Sequence, residues 1–188
     1  MDSVIIAIAE YLLYAMAAGF ALTWLLAEDR RGKVQLALAA IVGLIALLVL
    51  IKIAAVSFYD TRPFVAIAQG GDGAKSLIPH AADNGFPSDH SAAAGLMAAL
   101  VLLRRRWMAG IWFALGAAAL AWARVAAGVH HLLDVAVGLG VGAVAAAIGV
   151  AGMTLLVGRT RIATAGPLGR WLAADPARIV TARHRPAD

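Results

Sequence analysis

The chain has 188 residues, of which 62% are hydrophobic and only 14% are charged, whereas soluble domains are about half apolar and about a quarter charged. This composition excludes an ordinary soluble enzyme and leaves room for one membrane-embedded domain. The net charge of +5 does not indicate nucleic-acid binding, because the basic residues lie singly or in small groups beside apolar runs, and the lack of cysteine excludes disulfides and cysteine-bound metals.

Five apolar runs are candidates for membrane-crossing helices, each of which needs about 20 residues. They cover residues 4–26, 34–58, 91–103, 107–127 and 132–157. The third run is short, and we expect it to become a full span by starting near Ser88 and reaching into the arginine triplet at its far end. The sequence therefore predicts an all-α, polytopic membrane helix bundle with about five transmembrane helices.

Lysine and arginine indicate how this bundle is oriented, because short cytoplasmic loops carry an excess of both. With the N-terminus outside, twelve of the sixteen basic residues lie on the inner side, in the loops after the first and third runs and in the tail. The outer half keeps Lys52, Arg62, Lys75 and Arg124. We therefore expect a protein of the cytoplasmic membrane whose outer face carries the functional site.

The end of the chain differs from the rest in composition. Residues 1–158 form the predicted membrane-embedded domain, and residues 159–188 form a predicted basic cytoplasmic tail. Within that tail, residues 167–174 read as a short amphipathic segment with a tryptophan suited to the membrane interface. We expect this segment to act as an anchor.

The first polar cluster lies at the outer end of the second run. It contains Lys52 and, further on, Arg62 followed by Pro63. The planar guanidinium matches phosphate oxygens, and Pro63 is expected to stop the helix and fix where the arginine emerges. An arginine that merely snorkels to the interface would give the same pattern.

The second cluster, Pro87-Ser88-Asp89-His90, stands directly before the third run and reads as a helix start. Ser88 or Asp89 can cap the helix, and the free N–H groups of its first turn favour an anion. His90 would then stand beside a bound phosphate. Capping alone would explain the serine and the proline, but not the histidine.

The third cluster places Arg124, His130 and Asp134 at fixed spacing. A histidine and an aspartate four residues apart share one helix face, so the carboxylate can accept the imidazole N–H and orient the ring. His131 would point elsewhere on the helix. Because adjacent histidines diverge on a helix, a haem or metal site is a poor alternative.

Together the three clusters resemble the type-2 phosphatidic acid phosphatase (PAP2) superfamily, over residues 52–134. Its signature is a lysine and Arg-Pro, then Pro-Ser-Gly-His, then Ser-Arg-x5-His-x3-Asp. The resemblance implies a PAP2-like membrane fold, a histidine nucleophile at His130 with Asp134 as its partner, and His90 as the acid for the leaving group. It also implies phosphate ligands at Arg62, Arg124 and Ser88.

Three positions depart from the family pattern. The lysine usually lies seven residues before the arginine, where this chain has Ala55, so we assign its role to Lys52, one helical turn deeper. Asp89 replaces the glycine of the second motif and is counted with the phosphate-binding residues. Ala123 replaces the serine of the third motif. The Pro-Ser-Asp-His form and the small size look most like the bacitracin-resistance type of undecaprenyl diphosphate phosphatase.

The resemblance implies hydrolysis of undecaprenyl diphosphate through a phosphohistidine, in lipid-carrier recycling for cell-wall synthesis. No metal or other cofactor is expected, because arginines supply the countercharge and no carboxylate cluster of the kind that magnesium prefers is evident. Phosphatidylglycerophosphate or phosphatidic acid is the alternative substrate. A non-catalytic membrane protein that binds or transports lipid phosphates is the alternative of another class.

Overall fold

The computed structural model describes residues 1–26 and 30–162, with side chains described as far as residue 157. The helices in this part of the chain are α1 (Asp2–Leu25), α2 (Arg30–Ser57), α3 (Pro63–Ala68), α4 (Asp89–Leu103), α5 (Trp107–Ala126) and α6 (Leu132–Ile162). Within these residues, one isolated antiparallel β-bridge joins Thr61 to Asn84. The predicted all-α class is confirmed.

Four of these helices are long and apolar enough to cross a membrane, namely α1, α2, α5 and Leu132–Val157 of α6. The remaining apolar helix, α4, has 15 residues, or about 22 Å at 1.5 Å per residue. Helix α4 begins after Ser88 and ends at the arginine triplet, as expected, but these bounds leave it shorter than a full span of about 20 residues. The sequence analysis also missed α3, whose six residues are too few to show a hydrophobic period.

The position of α4 explains its shortness. It packs against α2, α5 and α6, and nine of its residues are buried. Leu100 and Val101 are each 1% exposed, in two separate clusters of core side chains. Because protein rather than lipid surrounds α4, its length need not match the thickness of the bilayer.

Small residues bring α4 and α6 into backbone contact, as is common between membrane helices. A Cβ added at Gly95 would lie 2.6 Å from the Leu139 carbonyl, and one at Gly138 would lie 2.6 Å from the Ser88 carbonyl. The first turns of the two helices are joined where the Ser88 N–H donates to the Asp134 carbonyl at 3.1 Å. The second and third sequence clusters are thereby brought together.

The opposite end of the bundle carries the basic loops. Arg104 donates to the Gln35 side chain at 2.9 Å, and Arg106 donates to the Thr23 carbonyl at 3.0 Å. The Trp24 indole N–H donates to the Lys33 carbonyl at 2.9 Å. The arginine triplet and the three polar clusters thus lie at opposite ends of the bundle. The predicted tail segment, residues 167–174, lies outside the described residues.

Candidate active site

Backbone hydrogen bonds join three segments at one end of the bundle. The segment after α2 meets the approach to α4 where the Gly85 N–H donates to the Asp60 carbonyl at 2.9 Å. The loop between α5 and α6 is held where the Leu77 N–H donates to the Ala127 carbonyl at 2.9 Å. Gly128, with φ of 73°, turns the chain after α5 in the left-handed conformation that ends many helices. These contacts gather residues that are distant in sequence.

Arg124 lies in the last turn of α5 and is only 2% exposed. Its Nη1 donates to the Ala9 carbonyl at 3.4 Å, whereas its Nε and Nη2 have no hydrogen-bond partner among the described residues. Buried guanidinium donors without partners are costly, so such a group calls for an acceptor. An anion with several oxygens supplies one.

His130 lies in the loop before α6 and is buried. Its Nδ1 is 3.0 Å from the Gly85 carbonyl and 3.4 Å from Asp134 Oδ2, so we assign the ring proton to Nδ1. The lone pair then belongs to Nε2, which lies 3.3 Å from Arg62 Nη1. This arrangement presents a nucleophilic nitrogen to a cationic surface.

Asp134 belongs to the first turn of α6, since that helix begins at Leu132. His130 and Asp134 were expected to share one helix, and that prediction is wrong, because His130 precedes α6. The residues meet because Asp134 Oδ2 caps α6 by accepting the His131 N–H at 2.8 Å, as the acidic residue of a capping box does. The other carboxylate oxygen is buried without a partner among the described residues.

Arg62 is buried and held by four groups. Its Nε donates to Asp83 at 2.8 Å, its Nη1 donates to the Val129 carbonyl at 2.9 Å and faces His130, and its Nη2 donates to the Asn84 carbonyl at 3.3 Å. Pro63 was expected to stop the preceding helix. Instead α2 ends at Ser57 and Pro63 opens α3, for which its fixed φ suits the first position.

The second cluster forms the start of α4, as predicted. Ser88 is the N-cap, and its hydroxyl accepts the Ser91 N–H at 3.5 Å. Ser88 is fully buried and His90 is half-buried in the first turn. The charges of Arg124 and Arg62 both act on the His90 ring, so His90 belongs to the same electrostatic environment as His130.

Two predicted phosphate ligands stand apart from the others in this structure. Lys52 on α2 and Asp89 on α4 both have exposed side chains. No hydrogen bond or ion pair joins either of them to the described residues of the cluster around His130. Their assignment as phosphate ligands stays a prediction.

A second pair, missed in the sequence, lies beside the first. His131 Nδ1 is 2.9 Å from Asp60 Oδ2 and 3.9 Å from Asp134 Oδ2. Asp60, His131 and Asp134 offer ligand atoms within 4.8 Å of one another and are the residues here that could hold a metal ion. The two adjacent histidines do not act as a ligand pair, because His130 is outside this group. Asp60 lies in the first polar cluster, two residues before Arg62, but no spacing pattern gave it a role.

The loop before α4 contributes further residues that the sequence analysis missed. The His80 ring lies 6.0 Å from the His130 ring, edge to face. The Asn84 side chain ties the loop together, because its Oδ1 accepts the N–H groups of Asp60 and Phe86 at 3.0 Å and its Nδ2 donates to the Ala55 carbonyl at 3.0 Å. Isolated histidine and asparagine residues in a loop give no periodic signal by which to find them.

Burial and the neighbouring charges shift the pKa values of the site residues in opposite directions. Burial, followed by the charges of Arg62 and Arg124, lowers the pKa of His130, although Asp134 opposes the shift. Burial and the Arg62 charge likewise lower the pKa of His80. Burial and the Asp134 charge raise the pKa of Asp60. His130 is therefore neutral at neutral pH, which is the form that can attack an electrophile.

Comparisons with known proteins indicate the family to which the chain is similar. The sequence model of the PAP2 superfamily matches residues 35–158. The bacitracin transport permease protein BcrC of Bacillus licheniformis is 31% identical over 147 residues, which cover 78% of this chain and 68% of that protein. The undecaprenyl-diphosphatase BcrC of Bacillus subtilis (strain 168) is 35% identical over 106 residues, 56% of this chain and 51% of that protein.

A solved structure has a similar fold. The crystal structure of Aquifex aeolicus LpxE superposes with a TM-score of 0.60 at 23% identity, covering 79% of this chain and 84% of that one. At this identity the similarity concerns the arrangement of the helices.

Proposed function

Since the chain belongs to the PAP2 superfamily and is a multi-pass membrane lipid phosphatase, we propose that it hydrolyses undecaprenyl diphosphate to undecaprenyl phosphate and inorganic phosphate, in recycling of a cell-wall lipid carrier. The substrate is the one named for the relative from Bacillus subtilis. The reaction proceeds through a phosphohistidine at His130.

The observation that carries this proposal is the buried guanidinium of Arg124. Two of its nitrogens lack a partner among the described residues, and its charge acts on the His130 ring. A terminal phosphoryl group placed between Arg124 and His130 would fill those donors with its oxygens. Arg62 and the capped start of α4, with Ser88, would complete a cationic cradle for the charge that develops in the transition state.

The first step is attack by His130. With Nδ1–H held by the Gly85 carbonyl and Asp134 nearby, the Nε2 lone pair attacks the terminal phosphorus and the bond to the bridging oxygen breaks. Asp134 stabilises the positive charge that forms on the imidazole. The electron pair of the broken bond leaves on undecaprenyl phosphate.

The leaving oxygen receives a proton from His90 in the first turn of α4. Burial and the charges of Arg124 and Arg62 by themselves favour the neutral ring, so the negative charge of the bound diphosphate is what keeps His90 in its protonated form. In the second step water attacks the phosphohistidine, His90 accepts the water proton, and inorganic phosphate leaves while His130 regains its lone pair. No step needs an added oxidant or reductant.

The site faces the outside of the cytoplasmic membrane in this proposal. Its support is the arginine triplet and the Arg30–Lys33 segment at the far end of the bundle, because cytoplasmic loops carry such an excess of positive charge. The substrate then presents its diphosphate from the outer leaflet.

Phosphate release from the purified protein tests the proposal. Undecaprenyl diphosphate, phosphatidylglycerophosphate and phosphatidic acid are compared in micelles, with and without excess chelator, and His130→Ala gives the background. We expect the highest kcat/KM for undecaprenyl diphosphate and no effect of the chelator. Binding without phosphate release would favour the non-catalytic alternative, and loss of activity that magnesium restores would direct attention to Asp60, His131 and Asp134.

A further inference from the structure

The loop between α3 and α4 carries a histidine to which the proposed mechanism gives no role. His80 is half-buried, and its ring meets the His130 ring edge to face with the centroids 6.0 Å apart. Aromatic rings touch at centroid separations of about 4.5–7 Å. His80 is therefore an immediate neighbour of the proposed nucleophile, although the two are far apart in the sequence.

Contacts on both sides of His80 hold this part of the loop against the site. Before it, Ile78 is 5% exposed and belongs to a core cluster that also contains Val129. After it, Asp83 accepts a hydrogen bond from Arg62 Nε at 2.8 Å. Because both anchors adjoin the nucleophile, the loop has little freedom to carry His80 away from it.

The two ring nitrogens of His80 have different surroundings. Nδ1 lies 3.3 Å from the Ala81 carbonyl oxygen, so we assign the ring proton of the neutral form to Nδ1. Among the described residues, no hydrogen bond or ion pair involves Nε2. One nitrogen thus serves the loop, and the other is available to a ligand.

His80 shares the electrostatic environment of the catalytic cluster. The charges of Arg62 and Arg124 act on its ring, as they act on the rings of His90 and His130. Burial and these charges lower the pKa of His80 in the empty site. A bound phosphoryl group has the opposite effect, because its negative charge favours the protonated ring. The anion therefore brings a proton to Nε2 and turns it into a hydrogen-bond donor.

The contact with the His130 ring decides which part of a phosphoryl group His80 can reach. Phosphoryl transfer places the attacking and leaving atoms roughly in line, with the other three oxygens around the equator. A ring that touches the attacking imidazole lies on the same side of phosphorus as the nucleophile. It therefore faces an equatorial oxygen, and the leaving oxygen on the far side stays with His90.

We propose that His80 is a further catalytic residue, whose Nε2 donates a hydrogen bond to an equatorial oxygen of the phosphoryl group during its transfer to and from His130. This inference rests on the proposed function, because it takes the phosphoryl group to bind at His130 Nε2. It gives the loop between α3 and α4 a direct contact with the reacting group.

NMR tests the contact without turnover. The probe is orthovanadate, whose five-coordinate form resembles the transition state of phosphoryl transfer, and the protein carries ¹⁵N in its histidine rings. With signals assigned by His80→Asn and His130→Ala, we expect vanadate to shift the His80 Nε2 signal to that of a protonated nitrogen. A shift of the His130 signals alone would overturn the inference. If neither ring responds, the phosphoryl site itself is wrongly placed.

A matched pair of substitutions separates the two nitrogens of His80. The amide nitrogen of asparagine takes the place of Nδ1, whereas that of glutamine takes the place of Nε2. We expect His80→Asn to lower kcat/KM for undecaprenyl diphosphate by about tenfold to a hundredfold, the loss of one hydrogen bond to a charged group, and His80→Gln to lose less. Thermal unfolding in detergent should be the same for both. Equal losses, or a larger loss in His80→Gln, would contradict a contact through Nε2.

Failure of this inference and failure of the proposed function give different results. Phosphate release from undecaprenyl diphosphate that is the same in the unsubstituted protein and both His80 variants would overturn the inference and keep the function. A vanadate-induced shift of His80 in a protein that releases no phosphate from undecaprenyl diphosphate would overturn the substrate assignment and keep His80 as a ligand of the phosphoryl group.

Discussion

At the scale of single residues, the adjacent histidines have different partners and so should have different roles. His130 is buried against Gly85 and Asp134, whereas His131 is about 40% exposed at its side chain and pairs with Asp60. The contact of His131 with Asp134 that caps α6 is made by the backbone N–H. A substitution at His131 therefore preserves the cap.

The first prediction compares the two histidines by substitution. His130→Ala should abolish phosphate release, because no other nucleophile takes its place. His131→Ala, its matched neighbour, should lose less than about tenfold, or ~1.4 kcal/mol of activation free energy, because its ring pairs with Asp60 rather than with the reacting phosphate. Initial rates with undecaprenyl diphosphate measure both. An inactive His131→Ala beside an active His130→Ala would show that the nucleophile was assigned to the wrong ring.

The second prediction concerns the protonation of His130. Burial and the two arginines lower its pKa, so the ring should take up a proton only below the ordinary pKa of about 6.5. Because the unfolded chain binds this proton more readily than the folded protein, His130 also makes the fold less stable as pH falls below about 6.5. NMR titration of labelled histidine rings, assigned with His130→Ala, measures the pKa. A value above 6.5 would contradict this account of the site.

Sequence motifs predicted that His130, Asp134, Arg62 and Arg124 meet, because fixed spacing carries them, and the structure brings these four residues into one cluster. They gave no role to Asp60 and did not locate His80, Asp83 or Asn84, which reach the site through the folding of one loop rather than through a local pattern. The sequence also did not predict the local geometry, in which Asp134 caps α6 instead of sharing a helix with His130. Spacing predicts which residues meet, whereas loop conformation decides how.

At the scale of the elements, α4 is positioned by its backbone contact with α6. A Cβ added at Gly142 would overlap the Ala92 carbonyl and lie 2.6 Å from the Leu96 N–H nitrogen. Two residues earlier, Gly140 has open space where a Cβ would be. The length of α4 could not be predicted from hydropathy, because an apolar helix enclosed by protein has the same kind of apolar sequence as one enclosed by lipid.

This contrast gives the third prediction. Gly142→Ala should destabilise the protein by about 1–3 kcal/mol, the usual cost of overpacking, and should lower activity because α4 carries Ser88 and His90. Gly140→Ala should be neutral or stabilising by up to ~1 kcal/mol from helix propensity. Thermal unfolding in detergent and initial rates measure both. Equal stability of the two variants would rule out the close contact of α4 and α6.

At the scale of the whole molecule, the candidate site and the basic loops lie at opposite ends of the helix bundle. The sequence predicted this separation from charge alone, and the described helices place the arginine triplet and His130 at opposite ends. The fourth prediction is that the end with His130 faces the outside of the membrane and the end with the arginine triplet faces the cytoplasm.

Single cysteines test it, since the chain has none of its own. Lys75→Cys, in the exposed loop before α4, should react with an impermeant thiol reagent in intact cells, and Arg105→Cys should react only after permeabilisation. Both positions are exposed, so accessibility alone does not separate them. The reverse labelling pattern would place the active site in the cytoplasm.

The central claim is that a lipid phosphatase of this fold transfers phosphate to His130. The most direct measurement uses undecaprenyl diphosphate with a radiolabelled terminal phosphate, mixed with the protein and quenched in alkali within the first turnover. We predict an acid-labile, alkali-stable label on His130 that is absent in His130→Ala and still forms, more slowly, in His90→Ala. Turnover without any protein-bound phosphate, or label on a residue other than His130, would contradict the claim.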